Sequence, residues 1–298
     1  MMQFPLHDLH IHTNLSECSR DPLQTVENIV RYAAEHHIPT VGISNHVWDR
    51  EIPGASDWYA PQDFDHILAI RQQIPSDLHG VRLLIGAETE FAGGKIALTR
   101  AHRDELDYVL VPHSHIHMVG LVLPRDRVTD RQVADYLVES FLDLVSRNFA
   151  TAIAHPFSPV GRTPENVKAI TDCISDDAFA HCFSAAREHR AAIELNGSCF
   201  AREWNNPDLM RGHERMFSIA RDCGVTFTLG SDAHALEELG IGRPSTYAPT
   251  ISTITTRGYI TRKNKRLEPT ELGVVVTNMM TQYFPDIVDI DFTAEMEK

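Results

Sequence analysis

The sequence is short of positive charge, of cysteine and of long apolar runs, and each shortage closes off a class of protein. Only 27 lysines and arginines stand against 41 aspartates and glutamates, a formal net charge of -14 over 298 residues. So acidic a chain does not attract phosphate backbones over its general surface, and nucleic acid is not the expected partner. An anionic ligand would have to meet local positive charge, from metal ions or a few arginines. The five cysteines, Cys18, Cys173, Cys182, Cys199 and Cys223, are odd in number and irregularly spaced. They suit a reducing, cytoplasmic setting rather than a disulfide frame. No apolar run reaches the roughly 18 residues of a membrane helix, and the first residues lack the basic-then-apolar pattern of a secretion signal. No membrane partner is expected.

What is present is apolar content of 43%, enough for one large α/β domain or two ordinary ones, and 17 histidines. Apolar, β-branched runs alternate with amphipathic stretches. Candidate strands are Phe4–Ile11, Thr40–Ser44, Val81–Ala87, Tyr108–Pro112, Thr151–Ala154, Ala191–Leu195 and Val225–Leu229. The first helix is expected to open at Asp21-Pro22, an N-cap followed by proline, with Val26, Ile29, Val30, Ala33 and Ala34 as its stripe. Further helical stretches are Pro61–Gln73, Asp130–Arg147, Ala178–His189 and Asp208–Cys223. Repeated strand–helix alternation reads as a parallel α/β barrel, whose functional groups collect at the carboxyl ends of the strands.

Each candidate strand runs into a residue able to hold a metal. The first reaches His10 and His12, the second His46, and the third Glu88. The fourth reaches His113, His115 and His117, the fifth His155, the sixth Glu194 and Asn196, and the seventh Asp232 and His234. Residues two apart on a strand point to one side, so His10 and His12 could grip a single cation. Taken alone, two partly exposed histidines would be the plainer reading. The shared position of all seven sets makes the metal reading the stronger one. Mixed imidazole and carboxylate donors suit zinc, iron or manganese better than calcium.

Five stretches carry a resemblance: Asp8-Leu9-His10-Ile11-His12-Thr13, Ile43-Ser44-Asn45-His46, Gly86-Ala87-Glu88, Ala154-His155-Pro156 and Gly230-Ser231-Asp232-Ala233-His234. In this order they resemble the ligand motifs of the PHP (polymerase and histidinol phosphatase) superfamily. The resemblance implies a distorted seven-stranded (β/α)7 TIM-like barrel with two or three divalent metal ions. It implies one ion on His10, His12, Glu88 and Asp232, and a second on Glu88, a histidine after the fourth strand and His155. A third would use His46, His234 and a loop histidine, and there this chain has Cys18, either a thiolate ligand or an inert small residue. For the second ion the family's usual spacing falls on Ser114. We take His115 as the ligand, with His113 as its rival, and strand alternation would set His113, His115 and His117 on one side.

The activity implied is hydrolysis of a small phosphate monoester by a hydroxide bridging two metals, with Glu88, Asp232 and His117 as candidate catalytic groups. Arg162, Arg202 and Asn196 are the candidate substrate-binding groups, and Glu194 is expected to orient a histidine. Alternatives are a PHP-type phosphodiesterase or exonuclease, and a metal- or DNA-binding module without turnover.

The text changes character near residue 240. Leu239-Gly240-Ile241-Gly242-Arg243-Pro244-Ser245-Thr246-Tyr247 and Arg257-Gly258-Tyr259, and the stretch from Lys265-Arg266-Leu267-Glu268-Pro269 to Phe292, resemble a piece of bacterial type IA DNA topoisomerases. The chain reads as a chimera: residues 1–240 a PHP barrel, residues 241–298 a topoisomerase-like tail without that family's nucleophile. Arg257, Arg262, Lys263, Lys265 and Arg266 form a local basic cluster, read as a solvated hairpin. Glu271–Tyr283 has an apolar helical face.

Overall fold

The computed structural model of the chain describes residues 7–116, 129–159, 162–199, 207–239, 260–263 and 266–270. The backbone divides into two compact units: Met1–Ala34 with Ile38–Leu236, and Glu35–His37 with Glu237–Lys298.

In the first unit the strands are β1 (His7–Ile11), β2 (Thr40–Ile43), β3 (His46–Val47), β4 (Arg82–Thr89), β5 (Phe91–Ala92), β6 (Lys95–Ile96), β7 (Tyr108–Pro112), β8 (Ala152–Ala154), β9 (Ala192–Asn196) and β10 (Phe227–Gly230). The helices are α1 (Val26–Glu35), α2 (Phe64–Leu68), α3 (Arg100–Arg103), α4 (Asp130–Ser146), α5 (Pro164–Asp172), α6 (Asp176–Glu188) and α7 (Pro207–Asp222). Seven strands run parallel in the order β1-β2-β4-β7-β8-β9-β10, with the short β3 paired to the end of β4. They form a nearly closed barrel, as the alternation predicts. Such strands are buried on both faces, which is why β7 reads as the unbroken run Tyr-Val-Leu-Val-Pro and all five residues are buried.

Closure between β10 and β1 is irregular. One bridge pairs Ile11 with Ala233, supported by Asp232 N donating to His10 O at 2.7 Å and His12 N donating to Ala233 O at 3.0 Å. Below it, side chains take over from the ladder: Ser231 N donates to Asp8 Oδ1 at 2.9 Å, and Leu229 N to His7 Nε2 at 3.0 Å. Inside the barrel Tyr108 lies across β2 and β4, its hydroxyl donating to Leu9 O at 2.7 Å. A Cβ at Gly42 or Gly86 would come within 2.3 and 2.5 Å of the Tyr108 ring system, so both positions require glycine.

The outer helices dock by apolar stripes. In α4, Val133, Leu137, Phe141 and Leu144 are buried on one face, and Thr129 with Gln132 closes a capping box at its start. Phe141 stacks on Phe157, whose centroid is 5.1 Å away, and Phe157 in turn meets Phe179 of α6 edge-on at 5.0 Å.

Two sequence expectations are corrected, and one helix is added to them. The first helix does not open at Asp21-Pro22. The Asp21 carboxylate accepts Leu23 N at 2.9 Å, making a turn, and Thr25 takes the capping role, with Asn28 N donating to its Oγ1 at 3.2 Å. Pro61–Gln73 is not one helix: α2 starts after the cap Asp63 and gives way to a 3-10 turn over Ala69–Gln73. The helix α5, capped by Thr163, was not expected.

In the second unit the described residues include an antiparallel hairpin of β11 (Ile260–Lys263) and β12 (Arg266–Pro269), in register Lys263 to Arg266 and Ile260 to Pro269. The Glu271–Tyr283 expectation lies outside the described residues.

Candidate metal centre

The seven strands deliver their polar ends to one mouth of the barrel. Glu88, the seventh residue of β4, stands in the middle and is 1% exposed. Its Oε2 lies 3.2 Å from His10 Nε2, 3.4 Å from His12 Nε2 and 3.2 Å from His46 Nδ1. Its Oε1 lies 3.3 Å from His155 Nε2 and 4.0 Å from His115 Nε2. The two oxygens of one carboxylate thus face two different histidine groups. Asp232 Oδ1 adds to the first group, 3.4 Å from both His10 Nε2 and His12 Nε2. Three sets of donors result, each with its ligand atoms within 4.8 Å of one another: His10, His12 and Glu88; Glu88, His115 and His155; and His12, Cys18, His46 and His234.

Buried partners fix which nitrogen of each ring faces inward. His10 Nδ1 donates to Glu194 Oε1 at 2.6 Å, and His115 Nδ1 donates to Glu90 Oε1 at 2.7 Å. His155 Nδ1 meets Ser114 Oγ at 3.2 Å, and His234 Nδ1 donates to Asp232 O at 2.7 Å. In all four Nδ1 is engaged, as in a metal ligand whose other ring nitrogen is tied to a partner. Burial opposes charge on His10 and His115, but the carboxylates beside them, Glu194 and Glu90 first, hold both imidazoles above the usual range, that of His115 at about 9. Glu194 does double duty, since its Oε2 also accepts His155 N at 2.6 Å. Gly230 makes room for this: a Cβ there would fall 2.2 Å from Glu194 Oε1 and 2.4 Å from the Cβ of His10.

The electrostatics are those of a cation site. Burial opposes charge on Glu88, but His46 and His10 beside it hold its carboxyl well below the usual range. Burial likewise opposes charge on Asp232, and His10 and His12 outweigh it and push its carboxyl down. Burial pulls the imidazoles of His12 and His46 down, favouring the neutral form that binds metals. Both ring nitrogens of buried His12 and Nδ1 of His46 have no hydrogen-bond partner. Buried polar atoms of that kind are rare and call for a ligand, and divalent cations answer both the orphaned lone pairs and the gathered carboxylates. The donor set therefore fits metal ions. Two donors also sit on backbone that L-residues seldom adopt, His155 at φ 26° and Asp232 at φ 58°, a strain typical of functional sites.

Two solved structures share this architecture. The histidinol phosphate phosphatase of Lactococcus lactis subsp. lactis, solved with zinc, L-histidinol and phosphate, superposes with a TM-score of 0.51 at 15% identity, over 89% of this chain and 99% of that one. A presumed histidinol phosphatase from Listeria monocytogenes superposes with a TM-score of 0.54 at 15% identity, over 81% of this chain and 99% of that one. The chain has their fold. Its C-terminal part is similar to something else. Residues 227–298 match the DNA topoisomerase family. Over 73 residues the chain is 56% identical to DNA topoisomerase 1 of Treponema pallidum (strain Nichols), which is 24% of this chain and 10% of that protein's length. The family match opens inside β10 and runs across Asp232 and His234, earlier than the change of text near residue 240 suggests.

Of the sequence-predicted residues, His10, His12, Cys18, His46, Glu88, His115, His155, Asp232 and His234 come together. His113 does not join them. β7 ends at Pro112, so strand alternation no longer governs His113 and His115, and the expectation that they share a side is corrected. His113 packs edge-on against Phe141 and Phe157 at 5.2 and 4.8 Å and accepts Phe157 N at 3.0 Å. Burial, then His155, pushes its imidazole down to about 3. Asn196 is buried and committed to its neighbours: its Nδ2 donates to Glu194 Oε2 at 3.2 Å, and its Oδ1 accepts Cys199 N at 3.0 Å. Those contacts suit holding Glu194 in place better than binding a substrate. Arg162 is exposed, and His117 and Arg202 lie outside the described residues. Sequence reasoning missed Glu90, which is fully buried and also accepts the Tyr59 hydroxyl. Its signal was the spacing Glu88-Thr89-Glu90 at the end of an apolar run.

Proposed function

We propose that the first unit is a PHP-type, divalent-metal-dependent phosphomonoesterase acting on a small phosphorylated substrate in the cytoplasm. The observation that carries this reading is Glu88, whose two oxygens face separate histidine groups, as a carboxylate shared between two ions would. His10, His12, Glu88 and Asp232 would hold one ion, and Glu88, His115 and His155 a second. His46, His234 and Cys18 would hold a third. Zinc, manganese or iron suits the nitrogen and oxygen donors. When bound, such ions lower the pKa of water toward neutrality and draw charge from phosphoryl oxygens. The chain's own part is positional. Glu194 and Glu90 fix the rings of His10 and His115, and both rings are buried. We assign Arg162 and Arg202 to the substrate phosphate, and His117 to proton transfer. Residues 1–240 would carry the activity and residues 241–298 would not. The fold shared with two histidinol-phosphatase structures supports the monoester reading.

The test is elemental analysis of protein purified without chelator, together with parallel assays on a chromogenic phosphomonoester and phosphodiester. At least two metal equivalents and a preference for the monoester are expected. Less than one equivalent after zinc or manganese addition would sink the proposal, and a preference for the diester would transfer it to the phosphodiesterase class.

A further inference from the structure

We infer that Cys18, His46 and His234 form a thiophilic metal position, so that the centre is built for two kinds of ion, a zinc-like cation here and harder cations at the two positions that share Glu88. This rests on the proposed metal centre and adds to it which metal each position selects.

The three donor sets differ in chemistry. Both sets that contain Glu88 join imidazole to carboxylate, whereas the third contains sulfur and no carboxylate. His12 lies within reach of that third set, but its Nε2 faces two carboxylates, Glu88 and Asp232, at 3.4 Å each and belongs with them, whereas His46, whose Nδ1 is 3.2 Å from Glu88 Oε2, stays with Cys18 and His234 as in the proposed centre. That leaves one thiol and two imidazoles, a three-donor composition that suits an ion with one position open. Thiolate favours zinc, cobalt and cadmium over manganese and magnesium.

The thiol is not a stray side chain at a loop edge. Ser16 N donates to Thr13 O at 2.9 Å and Ser19 N to Ser16 O at 3.0 Å, which turns the loop back on itself. Gln62 Oε1 accepts both Ser16 Oγ at 3.1 Å and Glu17 N at 3.0 Å, pinning it from outside. Ser19 Oγ donates to His234 O at 2.6 Å, which ties the Cys18 loop directly to the loop carrying the partner ligand. Cys18 Sγ donates to Ser16 Oγ at 3.3 Å. His46 is buried and its Nδ1 has no hydrogen-bond partner. The rings of His234 and His46 both pack against His12, with centroids 4.5 and 4.6 Å away, which fixes the two imidazoles beside it. Among the described residues no other cysteine belongs to a donor cluster: Cys182 is buried in the aromatic core, and Cys199 Sγ lies 3.4 Å from Ser158 Oγ.

The experiment is titration of the full-length chain, stripped with a chelator, with Co(II) and separately with Mn(II), reading bound equivalents and absorption. With cobalt, an intense near-ultraviolet thiolate-to-metal charge-transfer band is expected as the third equivalent binds. The band should vanish in Cys18→Ser and in Cys18→His, while Cys18→His keeps three cobalt equivalents. With manganese, wild type should bind two equivalents and Cys18→His three. Three equivalents of cobalt without the band, or a band that survives in both variants, would overturn the inference and leave the proposed metal centre standing. Less than one equivalent of either metal would overturn both.

Discussion

Glu194 holds two parts of the site at once, and its amide counterpart cannot. The carboxylate accepts His10 Nδ1–H on one oxygen and His155 N–H on the other. Glu194→Gln keeps the size but offers one oxygen and one NH2, so one of the two contacts becomes donor against donor. Loss of a carboxylate behind a ligating histidine typically costs about tenfold to a hundredfold in metal affinity. Chelator competition on Glu194→Gln should show a loss of that order with an unchanged far-ultraviolet dichroism spectrum. Wild-type affinity would mean that the ring of His10 is held by something else. A second pair of variants separates neighbours in the chain. His115→Ala leaves the second donor set only Glu88 and His155, and metal content should fall by one equivalent. His113→Leu removes a ring packed between Phe141 and Phe157 and should keep full metal content, with a stability cost of about 1–3 kcal/mol because Phe157 N loses its acceptor. The reverse pattern would show that His113 is the ligand.

At the scale of elements, the barrel is held by what its helices bury. Phe141 of α4 is fully buried and touches Phe157 and Phe183 as well as His113. Phe141→Ala should lower unfolding stability by about 3–5 kcal/mol, read from denaturant midpoints at constant slope. A loss below about 1 kcal/mol would show that α4 is not a principal support of the barrel. The same burial explains why the strands are legible in the sequence. Strands covered on both faces leave unbroken apolar runs, so all seven barrel strands can be read, and with them the places where ligands appear. Caps are less legible. They mislead at Asp21, where the carboxylate prefers its own turn and Thr25, four residues on, takes the cap. Beyond a strand end alternation stops, so the sequence pointed to His115 but left His113 as its rival. The choice depends on which ring the aromatic core accepts. Glu90 escaped notice because acceptors behind a ligand are recognisable only once the ligand's ring is placed.

At the scale of the whole molecule the chain joins two unlike texts, and the question is which of them the chemistry needs. Among the described residues, every donor that faces Glu88 or belongs to the three sets lies between His10 and His234, and the first compact unit closes at Leu236. The topoisomerase match begins at residue 227, so its first residues supply Asp232 and His234 whatever their origin. The second unit includes the hairpin with Arg262, Lys263 and Arg266, a basic cluster in a chain of net charge -14. A few cations on such a background favour little general attraction to nucleic acid. The chain also covers only 10% of the matched topoisomerase. Truncation after Gly240 should therefore keep the full number of metal equivalents and the same turnover per folded molecule, with DNA retention on a gel as weak as that of the whole chain. Folded fraction, from tryptophan fluorescence, must be measured alongside, so that lost stability is not mistaken for lost chemistry. If a truncated chain that is folded and metal-loaded turns over poorly, the tail contributes groups to the active site. If instead the full chain retards DNA and the truncated chain does not, the basic hairpin is a binding element.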